Sequence, residues 1–147
     1  MKKMLLLLAI LFCLVPAATA ARNFSGVWRM NPDSLLANID TVLRGAALIT
    51  INMNANQLTL IADSPRMFEE YILDGDDHRI STRFGNMTYS TMWEGDTLVI
   101  TRTPAKNSGF KTQILRFSIT PNMRYLQITC TKEGENSPSD DLKWEKR

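Results

Sequence analysis

The chain has 147 residues, with 17 Lys and Arg against 15 Asp and Glu, a single His and a hydrophobic fraction of 44%. That length carries one domain with a core of its own. Two of the cations, Lys2 and Lys3, stand at the N-terminus, so the remainder is close to neutral. The other Lys and Arg are scattered among acids rather than gathered in a stripe, which argues against a nucleic-acid partner, and one histidine rules out a His-based metal cluster.

The N-terminus reads Met1-Lys2-Lys3, an apolar run from Met4 to Val15, then Pro16-Ala17-Ala18-Thr19-Ala20. A basic start, a short apolar stretch and a small-x-small site form a secretory signal, with cleavage expected after Ala20. The run is too short to cross a bilayer as a mature helix, and the bulky Leu11 and Phe12 before Cys13 exclude a lipoprotein signal. The expected organisation is a signal peptide over 1–20 and one domain over 21–147, delivered to the periplasm or secreted. Taking 20 residues from 147 leaves 127, with Cys130 as the only cysteine. No intramolecular disulfide can then form, and stability must come from packing. Cys130 follows Leu126 and Ile128 at alternate positions, the pattern of a buried, inert thiol.

In chain order, period-two alternation predicts strands near 24–30, 47–53, 57–62, 67–73, 78–84, 87–93, 97–103, 110–119, 123–131 and 141–147. Leu58 and Leu60 share a face, as do Leu98 and Ile100, and Leu115, Phe117 and Ile119. Pro32, Pro65, Pro104, Pro121 and Pro138 fall between runs, where a lost backbone donor is tolerated. Asn54-Ala55-Asn56, Asp74-Gly75-Asp76-Asp77, Glu94-Gly95-Asp96 and Pro121-Asn122 supply the chemistry of tight hairpins. One segment breaks the rhythm: over 33–44, Leu35, Leu36, Ile39, Val42 and Leu43 recur at helical spacing. Asn31 or Asp33 can cap its start and Gly45 its end, so a short amphipathic helix is expected after the first strand.

Sequential hairpins make an antiparallel meander, and closure into a barrel is the most effective way to manage its edges. The expected fold is all-β: an up-and-down meander barrel of about 8–10 strands. A membrane barrel is excluded by short strands and by charge expected on the outward positions Glu69, Arg79, Arg102 and Arg124.

Phe24-Ser25-Gly26-Val27-Trp28-Arg29-Met30 resembles the opening strand of the calycins, the lipocalins and fatty-acid-binding proteins, and is closest to secreted bacterial lipocalin-like domains. Met92-Trp93-Glu94-Gly95-Asp96-Thr97-Leu98-Val99-Ile100 is similar to a hairpin of those domains, and Leu142-Lys143-Trp144-Glu145-Lys146-Arg147 resembles their closing strand. The resemblance implies a lipocalin-like or fatty-acid-binding-like barrel, and a helix after the first strand fits the latter topology. Fatty-acid-binding relatives fix a carboxylate with an Arg-x-Tyr on the last strand and a further Arg upstream. Here Leu142 and Trp144 stand at the first pair, and only Arg116 matches the upstream position; if Leu115 and Phe117 face inward, Arg116 faces out and the clamp vanishes.

The remaining candidates for chemistry are few. A Ser-His-Asp triad would have to recruit His78, at a turn-to-strand junction, whose simpler role is an exposed turn residue. Asp74, Asp76 and Asp77 lack the spacing and the distal Glu of a calcium loop and read as a solvated hairpin tip. With no paired inward carboxylates in view, an enzyme is not expected, nor any cofactor or metal. Trp28, Met87, Tyr89, Trp93, Arg116, Phe117 and Trp144 are the candidate ligand-binding residues of a barrel interior. The expected function is an exported binding protein holding a small apolar or amphipathic molecule. The alternative is an envelope interaction or inhibitor protein that uses the loops 104–109 and 133–141 on a filled barrel.

Overall fold

The computed structural model describes residues 22–31, 43, 46–63, 66–82, 85–136 and 140–147. The expected signal peptide lies outside these residues, as does the expected helix over 33–44 apart from Leu43, which is buried.

Ten strands follow the alternation of the sequence: β1 (Gly26–Met30), β2 (Leu48–Met53), β3 (Gln57–Ala62), β4 (Met67–Ile72), β5 (His78–Thr82), β6 (Gly85–Glu94), β7 (Thr97–Pro104), β8 (Gln113–Ile119), β9 (Tyr125–Lys132) and β10 (Asp140–Lys146). All pairings are antiparallel, in the order β4-β3-β2-β1-β10-β9-β8-β7-β6-β5. Strands adjacent in sequence pair with one another except β4 and β5, and β1 also pairs with β10, with Trp28 opposite Lys146 and Met30 opposite Trp144. The sheet thus curls into a nearly closed barrel whose seam, among the described residues, lies between β4 and β5.

Turn chemistry sets the register. Asn54 Oδ1 accepts from the Asn56 amide at 2.9 Å while the Asn54 amide donates to the Gln57 carbonyl at 2.9 Å, closing the β2–β3 hairpin. Gly95, at φ 60°, takes the left-handed position of the β6–β7 hairpin. Gly26 enters β1 at φ 148°, where a Cβ would also stand 3.5 Å from the Lys146 side chain.

One face of every strand packs inward. Trp28, Ile49, Ile51, Leu58, Leu98, Ile100, Leu126, Leu142 and Trp144 are fully buried, and removal of this apolar surface from water is the main driving force of the fold. One end of the barrel is floored by aromatics: the Phe24 ring stacks on Trp93 at 5.8 Å, lies 6.3 Å from Phe117, and offers its carbonyl to Trp28 Nε1 at 3.0 Å. The start of β6 and the loop after β7 lie at the opposite end.

Candidate functional site

The apolar interior is broken by a group of polar side chains from β4, β6, β7 and β8. Glu69 and Arg102, expected on the outside, are buried at 2% and 0% exposure. The pleat decides this: Glu69 lies two residues before buried Tyr71, and Arg102 two after buried Ile100, so both share the inward face. Each supplies the countercharge that makes burial of the other tolerable.

Arg102 Nη2 donates to Glu69 Oε2 and to Tyr71 Oη, and Tyr71 Oη donates to the same carboxylate oxygen at 2.6 Å. The guanidinium carbon also lies 5.3 Å from the Tyr71 ring centroid. Flanking Arg102 in register are Tyr89 on β6 and Gln113 on β8, both buried. Burial pulls the Arg102 guanidinium below its ordinary pKa, and the Glu69 charge opposes that shift. Arg102 Nε, Arg102 Nη1 and Gln113 Oε1 are among the polar atoms here that make no hydrogen bond among the described residues. Buried polar atoms seldom go unsatisfied in folded proteins, so such atoms mark positions for a further group.

The seam beside this cluster is closed by side chains instead of a strand ladder. Tyr89 Oη accepts from the Ile72 amide at 2.9 Å, and Thr91 Oγ1 donates to the Ile72 carbonyl at 3.1 Å, so β6 holds the free edge of β4 at one point. Burial raises the Tyr89 phenol above its usual pKa, against a smaller opposing effect of the Ile72 amide. The Tyr71 and Tyr89 rings meet edge to face at 5.0 Å, and His78 lies 5.5 Å from Tyr89.

A cavity of about 500 Å³ opens at the end of the barrel away from the aromatic floor, lined by Arg79, Ile80, Ser81, Asn86, Met87, Thr88 and Ala105. Arg79, Ser81, Asn86 and Thr88 lie on the exposed face of β5 and β6, and Met87 is the one buried residue of the lining. A second hollow, of about 240 Å³, lies at the floored end against Arg22, Asn23, Met53, Asn54, Ala55 and Trp93.

The residues expected to bind a ligand therefore divide. Trp28, Phe117 and Trp144 are buried in the interior, Met87 lines the 500 Å³ cavity, and Tyr89 stands opposite Arg102. Trp93 belongs to the floored end. Arg116 stands apart: with Leu115, Phe117 and Ile119 buried, it faces outward, 39% exposed and 3.8 Å from Glu94. The conditional carboxylate clamp of the sequence reading is not assembled, since Leu142 and Trp144 face inward without Arg116. Buried Trp144 Nε1 also makes no hydrogen bond among the described residues.

At the β4–β5 turn, His78 Nε2 lies 2.8 Å from Asp74 Oδ1. That hydrogen bond is the main reason the exposed Asp74 carboxyl titrates below its ordinary value. Among the described residues, no three His, Cys, Asp or Glu side chains gather to hold a metal ion, and no helix is long and apolar enough to cross a membrane.

No protein-family model and no curated protein sequence matches the chain. Solved structures do. The apo form of lipid binding protein 8 of Caenorhabditis elegans superposes with a TM-score of 0.66 at 8% identity, over 89% of this chain and 100% of that one. A protein described as the REP1-NXSQ fatty acid transporter gives a TM-score of 0.59 at 9% identity, over 84% of this chain and 95% of that one. At such identities the likeness is one of fold: this chain shares the antiparallel barrel of these two structures. A shared fold does not itself transfer a function.

Proposed function

We propose that this protein is an exported carrier or receptor of a small, mainly apolar molecule, held inside the barrel with its polar end on the Arg102 cluster. The observation that carries this reading is the set of unused hydrogen-bonding positions on Arg102 and Gln113, fully inside an otherwise apolar barrel. An apolar enclosure with a few converging polar groups is the usual composition of a small-molecule site. Two structural neighbours described as lipid-binding or fatty-acid-transporting support the same direction. The basic and apolar N-terminus is the ground for export. Binding must part inward side chains that are almost wholly covered.

That tight covering favours a second reading, in which a filled barrel serves as scaffold and the loops bind a protein partner. Native mass spectrometry of the protein from its exported fraction, without delipidation, separates the two. A small-molecule adduct lost in the Arg102→Met/Glu69→Leu double variant supports the carrier. A bare chain together with a stoichiometric protein partner supports the scaffold.

A further inference from the structure

The charge balance of the cluster narrows the class of ligand. Among the described residues, the buried polar and charged side chains are Glu69, Thr91, Arg102 and Gln113. Arg102 is thus the only buried cation, and its charge is already matched by Glu69, with side-chain exposures of 0% and 1%. An ionised carboxylate brought to this point would place two anions around one cation, leaving a net charge away from water, which the interior penalises heavily. An uncharged polar group meets no such penalty.

The hydrogen-bonding inventory points the same way. Arg102 Nε and Nη1 are donors and Gln113 Oε1 is an acceptor, none of them engaged among the described residues. Arg102 and Gln113 stand directly opposite each other on β7 and β8, on the same inward face, where cross-strand neighbours are close enough to share one ligand group. A carboxylate can only accept, so it meets Gln113 only if the amide turns its Nε2 donor inward. A hydroxyl or a primary amide both accepts and donates, and so can serve the two residues together.

Resting on the proposed interior site, we infer that the ligand's polar end is uncharged, a hydroxyl or a primary amide on an apolar chain, and that fatty carboxylates are discriminated against by Glu69. The test is displacement of Nile red, a neutral reporter, from the full mature protein at neutral pH by hexadecanol, hexadecanamide and hexadecanoate. Wild-type protein should bind the alcohol and the amide about tenfold or more tightly than the carboxylate, the scale expected when a buried charge has no partner. Glu69→Gln leaves the Arg102 charge unmatched and should reverse the order in favour of hexadecanoate. Equal affinities, or a carboxylate preference in the wild type, overturn the inference, as does an order unchanged in a folded Glu69→Gln. If Glu69→Gln does not fold, the wild-type ratio decides alone. Nile red binding that none of the three ligands displaces also overturns it while leaving an interior site standing. Failure of Nile red and all three ligands to bind overturns the interior site itself.

Discussion

Arg102 of β7 and Glu69 of β4 form an ion pair inside the barrel, joining strands that share no backbone ladder, while Tyr71 hydrogen-bonds to both. The pair spans the region where the sheet is least continuous, so its stability and its role in binding can be separated by substitution.

Breaking the pair from one side should cost more than removing it. Arg102→Met leaves a buried carboxylate without its cation and is expected to destabilise by about 3–5 kcal/mol, whereas Arg102→Met/Glu69→Leu should be neutral or stabilising by up to about 4 kcal/mol. Urea unfolding of the two variants checks this. A double variant as unstable as the single one would mean that the cluster holds the fold beyond its charge balance.

The strands were largely legible in the sequence, and the site was not. Leu58 and Leu60, Leu98 and Ile100, and Leu115, Phe117 and Ile119 announce their shared faces by alternation, and all are buried as expected. Glu69 and Arg102 were placed outside because charge ordinarily seeks water. Yet the same alternation carries Leu98 and Ile100 on to Arg102 and sets Glu69 on the side of Tyr71, so strict application of period two would have found both. What alternation could not supply is their meeting, since β4 and β7 are 31 residues apart at Tyr71 and Arg102 and touch only because the barrel curls. Arg116 failed for the complementary reason: a motif position suggested the interior, while its neighbours Leu115 and Phe117 fix it outside.

The seam between β4 and β5 depends on two side chains of β6. Tyr89→Phe removes the acceptor of the Ile72 amide and Thr91→Val the donor to the Ile72 carbonyl. Each should cost about 1 kcal/mol and speed hydrogen exchange at Ile72 relative to the paired amides of β8 and β9. Unchanged exchange at Ile72 would show that the seam is closed by other means.

Tyr89 should also set an alkaline limit. Its folded pKa is raised above the unfolded value of 10.0 by burial, so its contribution to stability is complete below about pH 10 and is lost as pH rises through the folded value. Tyrosinate absorbance should show a late-titrating phenol that disappears in Tyr89→Phe. An early, reversible titration of all tyrosines in the folded protein would contradict this.

Trp28 and Arg116 should differ sharply although both were candidates for binding. Trp28 is fully buried and donates to the Phe24 carbonyl at 3.0 Å, so Trp28→Ala should lose about 3–5 kcal/mol. Arg116→Ala, on the outer face with a partner 3.8 Å away, should stay within about 0.5 kcal/mol and leave ligand binding intact. Thermal melts and Nile red titration of both variants make the comparison.

The most direct test of an occupied interior is methyl NMR during titration with hexadecanol. The inward methyls of Leu58, Leu98 and Ile100 should shift in a saturable manner, while the outward methyls of Val27 and Ile61 stay in place. Shifts confined to Val27 and Ile61, with the interior silent, would contradict a ligand inside the barrel.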